Sequence, residues 1–293
     1  MQPRKVVVIA DISWAIGKIN REIMRKIPNC EAIFYNYGFF NPSDFMQNMK
    51  SCDACLTTLS LHTGILKFVK DPSLQRKMLF VVHGDTETKD VEYSETLRYS
   101  VVSDVIIPRM PSNLNILVTP NGVDPSLYTH RERDGTLKIV GWAGAASVPV
   151  KRFHMFQPIV DAAGLQSKTT VHQIPSEQMD GWYQDVDILL ILSGPEEFVE
   201  TGPLPAFEAI ACGIPVVGTR VGNFSKIPGP KFSTVEEGIA LLQELKNDPE
   251  RVRDIAKQQY EAVMKDWSYD VTAKLWERAL FSGARENEFD GDA

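Results

Sequence analysis

The chain is poor in the residues that metal and redox proteins collect. Of 293 residues, four are cysteine and five are histidine. Cys52 and Cys55 form a C-x-x-C, yet no second such pair and no H-x3-H follows to complete a zinc set, so the pair reads first as structural thiols, with redox chemistry or metal as the alternative. A basic excess is also missing. Thirty-one Lys and Arg stand against 38 Asp and Glu, a formal charge of −7, which argues against a general nucleic-acid binder. No stretch approaches the roughly 20 consecutive apolar residues that a membrane-spanning helix needs. The longest apolar runs, such as Ile188 to Leu192, suit buried strands. The opening MQPRKVVVIA runs straight into a strand-like pattern with no separate apolar leader and cleavage site, so a cytoplasmic location is expected. Internal repeats and low-complexity tracts are absent as well.

What is present is the composition of a folded soluble protein, 43% hydrophobic and 24% charged, at a length suited to two domains. The charge is unevenly placed. Residues 1–130 carry 14 basic and 13 acidic side chains, net +1, and residues 131–293 carry 17 and 25, net −8. Strand-like and helix-like patterns alternate throughout. Strands are expected at Lys5–Ala10, Glu31–Tyr35, Ala54–Leu59, Met78–Val82, Val101–Ile107 and Asn115–Val118, and helices at Ile16–Ile27 and Val91–Tyr99. After the polar stretch Thr129–Gly135 a second series begins. It has strands at Leu137–Gly141, Thr170–Gln173, Asp187–Leu192 and Ile214–Gly218, with helices at Phe153–Ala163, Glu177–Tyr183 and Leu204–Cys212. Three helical patterns close it: Val235–Leu245, Pro249–Lys265 and Tyr269–Ser282. The expectation is an α/β protein of two doubly wound, Rossmann-like domains, residues 1–130 and 131–265. A helix over 266–284 and an acidic, mobile tail over 285–293 follow. Ligands of such sheets sit at the carboxyl ends of the strands.

The densest signal is Ser193 to Gly218, SGPEEFVETGPLPAFEAIACGIPVVG. A strand ends, a loop rich in glycine and proline follows, and a helix begins. Thr201 is the expected N-cap, with Pro203 or Pro205 in the first turn, so that backbone amides and the helix dipole suit an anion such as phosphate. Glu200 precedes the helix and Glu208 lies within it among Ala206, Phe207, Ala209, Ile210 and Ala211. A carboxylate in so apolar a helix needs dedicated partners; a pair of sugar hydroxyls would serve.

This segment resembles the E-x7-E unit of retaining GT-B glycosyltransferases of the family 4 type. Other pieces agree in order: VVHG at Val81–Gly84, SDVII at Ser103–Ile107, PNGVD at Pro120–Asp124, EQMDGWYQDVDILLILS at Glu177–Ser193, and DWSYDVTAKLW at Asp266–Trp276. The resemblance implies a GT-B architecture, with two domains facing across a cleft and a C-terminal helix crossing back to the first. It further implies that Glu208 holds the ribose hydroxyls, that Glu200 touches the donor sugar, and that Gly202, Pro203 and Leu204 lie against sugar and phosphate. Lys151 matches the lysine that neutralises the diphosphate, and His83 the histidine beside the attacked carbon. Gly17 is what remains of a glycine pair in the first loop. His62, after another strand end in LSLHTG, is a candidate on the acceptor side. One departure stands out: the second domain begins Gly141-Trp142-Ala143-Gly144, without the family's arginine, leaving Lys151 and Arg152 as the nearby cations.

The implied activity is transfer of a sugar from a nucleotide-diphosphate sugar to a hydroxyl acceptor, a glycan or small molecule, with retained anomeric configuration. No cofactor and no metal are expected. A nucleic-acid partner is not expected, while Lys18, Arg21 and Arg25 on the first helix leave a peripheral membrane contact open. The rival readings are a sugar-nucleotide epimerase of the same architecture and a catalytically weak nucleotide-sugar-binding protein.

Overall fold

A computed structural model describes residues 2–11, 15–170, 174–194 and 200–282. The chain divides into two compact units. One comprises the described residues up to Pro120 together with those from Thr272 onward, and the other runs from Asn121 to Val271.

In the first unit the order is β1 (Arg4–Ala10), α1 (Ala15–Lys26), β2 (Cys30–Asn36), α2 (Pro42–Ser51), β3 (Ala54–Thr58), α3 (His62–Phe68), α4 (Pro72–Gln75), β4 (Met78–Val82), β5 (Arg98–Val101) and β6 (Ile116–Val118). The six strands form one parallel sheet, ordered β2-β1-β3-β4-β5-β6. Val6 to Ala10 are fully buried, as an apolar strand covered on both faces must be. Cys55 lies on β3 and Cys52 just before it; both are buried free thiols whose pKa burial raises, in keeping with a packing role. α2 was not anticipated. Asn41 caps it by accepting from the amides of Ser43 and Asp44, and Pro42 occupies its first turn.

Two expectations fail here. Val91–Tyr99 is not a helix. Its Val91 and Tyr93 drape over the core as coil, and the strand begins only at Arg98. The strand expected at Val101–Ile107 therefore lies earlier, as β5, and residues Asp104–Arg109 form a 3-10 turn.

The second unit holds β7 (Ile139–Trp142), α5 (Phe156–Ala162), β8 (Gln166–Thr169), α6 (Met179–Gln184), β9 (Ile188–Ile191), α7 (Leu204–Ala211), β10 (Val216–Gly218), α8 (Val235–Lys246) and α9 (Pro249–Asp266). Its parallel sheet is ordered β10-β9-β7-β8. Along β9 successive residues serve opposite faces: Leu189 and Ile191 join the core under α6, α7 and α9, and Ile188 and Leu190 the core under α5 and α8. β8 ends at Thr169, before the strand expected at Thr170–Gln173; residues 171–173 lie outside the described residues. The edge strand β10 is covered by Gln259 of α9, whose side-chain amide both accepts from the Val216 amide (2.8 Å) and donates to the Val216 carbonyl (2.7 Å).

The PNGVD turn belongs to the second unit from Asn121 on, ahead of the polar stretch Thr129–Gly135. Val123 donates to Trp267 and accepts from Tyr269, and Arg131 donates to Cys212, which ties this stretch to the unit. Gly122 is required: a Cβ there would stand 2.0 Å from the Trp267 carbonyl oxygen. The last helix, α10 (Tyr269–Phe281), starts in the second unit and continues into the first. There Trp276 donates to the Pro120 carbonyl at 3.0 Å, Glu277 pairs with Arg4, and Arg98 donates to the carbonyls of Ala279, Leu280 and Ser282. A guanidinium on three terminal carbonyls satisfies the orphan acceptors of the helix end. The acidic tail 285–293 lies outside the described residues.

Candidate functional site

In the second sheet β7 and β9 are neighbours, but β7 connects onward to β8 on one side and β9 to β10 on the other. That divergence opens a crevice at the carboxyl ends of the central pair, where doubly wound sheets hold ligands. The candidate residues gather there from two loops, one following Trp142 and one following Ile191.

From the first loop comes Lys151, and from the second Glu200; their side chains form an ion pair. The same Glu200 oxygen accepts from the Ser193 hydroxyl at 3.2 Å. Glu200 is 12% and Lys151 25% exposed, so the pair is shielded yet open on one side. The loops are tied directly, since the Gly194 amide donates to the Val150 carbonyl at 2.9 Å. Arg152 holds a left-handed backbone (φ 45°) and lays its guanidinium over Gly194, where a Cβ would come within 2.2 Å of its Nε. Lys151 and Arg152 thus both flank the second loop.

The stretch 200–203 is fixed from the other side. Thr219 donates its amide to Ile191 (2.8 Å), and the Asn223 amide donates to Thr201 (2.8 Å). Gly222 (φ 41°) brings its backbone against Thr201, whose carbonyl oxygen would be 2.0 Å from any Cβ. Gly202 and Pro203 are buried in this seam. The N-cap of α7 is Pro203, not Thr201, and no side chain caps the helix. Proline has no amide, so Pro203 and Pro205 leave only Leu204 and Ala206 as donors in the first turn, and Ala206 already donates to Pro203 at 2.9 Å. The helix start thus offers few amides, those of Gly202 and Leu204 foremost, and the side chains of Lys151 and Arg152 stand beside them as the nearby cations.

Glu208 projects from α7 and is 8% exposed. Its Oε2 accepts from the Tyr183 hydroxyl at 2.9 Å. Tyr183, on α6, is fully buried, and burial together with the nearby carboxylate drives its pKa well above the usual phenol value. The protonated hydroxyl donates to Glu208, its shorter contact, and lies 3.4 Å from the Pro205 carbonyl. Sequence alone did not single out Tyr183, Ser193 or Asn223.

The first unit places its candidates separately. Gly17 is buried in the first turn of α1. Lys18 on that helix pairs with Glu22 at 3.9 Å, while Arg25 is exposed. His62 is buried against Phe80 and Tyr99, with Nε2 3.3 Å from the Tyr99 hydroxyl, and burial lowers its pKa. That is the setting of a core histidine. His83 follows β4 at the carboxyl edge of the sheet, and burial lowers its pKa to about 4, so the ring is neutral. The next turn is anchored by Asp85, paired with Arg109 at 2.9 Å.

Glu87, in the same turn, was not anticipated. Its carboxyl accepts from the backbone amides of His83 and Ser60, yet burial dominates and raises its pKa to about 7. The two shifts oppose each other. His83 stays neutral in the fold, so its contribution is lost as pH falls from about 6.5 toward 4. Glu87 keeps its proton in the fold, so its contribution is lost as pH rises from 4.5 through about 7. In the wild type the slopes offset one another between pH 4.5 and 6.5. The variant Glu87→Gln is expected to unmask the histidine, its melting temperature rising with pH across that window relative to wild type. By pH 8 it should be stabilised by a few kcal/mol, on the order of 1.36 kcal/mol per unit of pKa shift removed. Parallel melting curves for the two proteins from pH 4.5 to 8 would show that Glu87 titrates normally.

Among the described residues no cluster of His, Cys, Asp or Glu is arranged to hold a metal ion, and no helix is long and apolar enough to cross a membrane.

Two parallel sheets of this connectivity, with the E-x7-E carboxylates at the switch point of the second, have the fold of GT-B proteins. Comparison with known proteins agrees. Residues 150–278 match the family described as glycosyl transferase-like. A D-inositol 3-phosphate glycosyltransferase of Arthrobacter sp. (strain FB24) is 38% identical over 69 residues, 23% of this chain and 15% of that protein. Its namesake from Pseudarthrobacter chlorophenolicus is 33% identical over 76 residues, 26% of this chain and 17% of that protein. The matched part thus spans about a sixth of the length of these curated relatives. Whole-chain likeness is seen with solved structures. AviGT4, a glycosyltransferase involved in avilamycin A biosynthesis, gives a TM-score of 0.64 at 12% identity, over 96% of this chain and 98% of that one. Anabaena Alr3699/HepE, solved in complex with UDP, gives 0.69 at 12% identity, over 95% and 100%. The N-terminal domain of Candida albicans trehalose-6-phosphate phosphatase also shares the fold, at 0.62 and 8% identity, over 97% and 100%. The resemblance to GT-B glycosyltransferases of the family 4 type is borne out in the fold and in the matched segment.

Proposed function

We propose that this chain transfers a sugar from a nucleoside-diphosphate sugar to a hydroxyl acceptor, with retention at the anomeric carbon and without a metal. The observation that carries the reading is the convergence of Lys151, Ser193 and Glu200 at the switch point of the second sheet, with Glu208 on the adjoining helix. In such a reaction the bond from the anomeric carbon to the β-phosphate breaks, and negative charge builds on the departing diphosphate. A fixed cation aimed at that charge lowers the barrier. Lys151 takes this role, with Arg152 beside it. Glu200 touches the donor sugar and Glu208 receives the ribose hydroxyls. The second unit binds the donor and the first serves the acceptor, with His83 as the residue beside the attacked carbon. Among the described residues no side chain is placed as an activated nucleophile; Glu200 is held by a cation and a hydroxyl, which suits positioning rather than attack.

The test is incubation with UDP-, GDP-, ADP- and dTDP-linked sugars, followed by NMR for donor consumption and anomeric configuration. UDP heads the series, because the Anabaena protein of this fold is solved with UDP and with UDP-glucose. One donor should be consumed with retention, and Glu200→Ala and Glu208→Ala should suppress it. A nucleoside diphosphate present at 100 times its dissociation constant should stabilise the protein by about 2.7 kcal/mol. Absence of any consumption, or consumption indifferent to both substitutions, overturns the reading.

A further inference from the structure

We propose that Tyr183 is a positioning residue for the nucleoside ribose: its hydroxyl fixes the Glu208 carboxylate and so sets the preference of the site for ribonucleoside over deoxyribonucleoside diphosphates. The inference rests on the reading of Glu208 as the ribose ligand.

The argument begins with the cost of the carboxylate. Glu208 is nearly buried on a helix whose other residues from Ala206 to Ala211 are alanine, phenylalanine and isoleucine. A carboxylate in such a place is retained at a penalty, and the orientation of its two oxygens decides what it can accept. The Tyr183 hydroxyl binds Oε2 at 2.9 Å. The phenol ring is itself immobilised, packed edge-on against Trp182 (centroids 5.1 Å apart) and against Tyr128 (6.3 Å). Burial and the adjacent negative charge keep the phenol protonated. A rigid donor on one oxygen fixes the torsion of the carboxylate. A cis-diol presents two hydroxyl donors at a set spacing, and it can use a carboxylate held in one plane far better than one that rotates.

A purely structural role for the same bond predicts something different. α6 is held in place without it. Asp180 accepts from the Thr129 amide (2.7 Å) and hydroxyl (2.8 Å), Gln184 donates to the Thr129 carbonyl (2.8 Å), and Arg133 donates to the Gln184 carbonyl (3.1 Å). Removing one hydroxyl leaves these bonds and the ring packing intact and gives up only the bond to Glu208 and a longer contact, 3.4 Å, to the Pro205 carbonyl. Tyr183→Phe should therefore preserve the helix and remove the one donor that the tyrosine places on Oε2.

The experiment measures, by calorimetry, the affinity of wild type, Tyr183→Phe and Glu208→Gln for UDP, GDP and ADP, each paired with its 2′-deoxy counterpart. For the base that binds, wild type should prefer the ribo form by about 30-fold, the range for a hydrogen bond to a charged group. Tyr183→Phe should keep its deoxy affinity within about twofold while the preference falls to about threefold. In turnover, KM for the donor should rise while kcat stays nearly level. A wild-type preference near unity would show that Glu208 does not read the ribose, and the proposal would fall with that assignment. A preference lost in Glu208→Gln but kept in Tyr183→Phe overturns the role of Tyr183 alone. Equal loss of ribo and deoxy affinity in Tyr183→Phe assigns it to packing, which overturns the proposal as well.

Discussion

Replacing Glu200 by glutamine is expected to cut sugar transfer sharply and, at the same time, to tighten binding of the free nucleoside diphosphate. The two effects have one cause. In the unliganded protein the cation assigned to the diphosphate is already engaged, because Lys151 pairs with Glu200 and the Ser193 hydroxyl supports the same oxygen. A diphosphate must draw Lys151 away from that carboxylate and then sit near its negative charge. Both demands weaken the product complex and favour its departure. Glutamine keeps the shape and can still accept from Ser193, but it neither holds the cation as strongly nor repels the anion. Diphosphate affinity should rise about 5- to 10-fold, close to 1 kcal/mol. Transfer should fall by about 100-fold or more, since the carboxylate's contact with the reacting sugar is lost. Calorimetry of wild type and variant with the diphosphate, beside a single-turnover assay with the donor, reads both. Weaker diphosphate binding in Glu200→Gln would show that the ion pair does not compete with the ligand.

Much of this site was legible because its parts lie close together in the chain. The eight-residue spacing of Glu200 and Glu208, the glycine at 213 and the buried strand before Ser193 are local patterns, and the structure keeps them as strand, loop and helix. Pairings between distant residues were not legible. Lys151 and Glu200 are 49 positions apart, and Tyr183 and Glu208 are 25 apart. Only the sheet order brings each pair together. Glu87 carried no signal at all: in sequence it is one acid in a polar turn, and its raised pKa arises from burial that the fold imposes. The stretch Val91–Tyr99 shows the reverse error. Its apolar residues satisfy a helical spacing, but they cover the core as coil, and Arg98 is drawn into the first unit's sheet with its guanidinium on the end of α10. Long-range contacts overrode a local pattern. The same holds for Thr201, a good capping residue whose carbonyl is instead claimed by the Asn223 amide.

Charge adds a constraint that composition posed and geometry answers. Residues 131–293 carry a net charge of −8, yet the donor assigned to them is a diphosphate. A field of that sign repels anions at long range, and at physiological ionic strength it is screened beyond about 8 Å. Affinity must then come from contacts closer than that. Among the described residues the start of α7 offers few amides, so the side chains flanking Gly194 are the main cationic source.

Lys151→Met is accordingly the substitution expected to cost most in donor affinity, about 100-fold, the loss of a charge-assisted contact to phosphate. It should also lower stability by about 1–2 kcal/mol, because Glu200, only 12% exposed, is left with a hydroxyl in place of its cation. The double variant Lys151→Met with Glu200→Gln separates the two effects. Removing both charges should restore the melting temperature toward wild type and leave donor affinity and transfer lost. Arg152→Met should weaken the diphosphate less, about 10-fold. Gly194→Ala should reproduce that loss without touching a charge, since a Cβ at this position would meet the Arg152 guanidinium at 2.2 Å and push it aside. Isothermal calorimetry of the four variants orders them. If Lys151→Met binds the diphosphate as wild type does, the switch-point cation is structural and the phosphate site lies elsewhere in the second unit. If Gly194→Ala matches wild type while Arg152→Met does not, the guanidinium reaches its ligand from another position than the one it holds over Gly194.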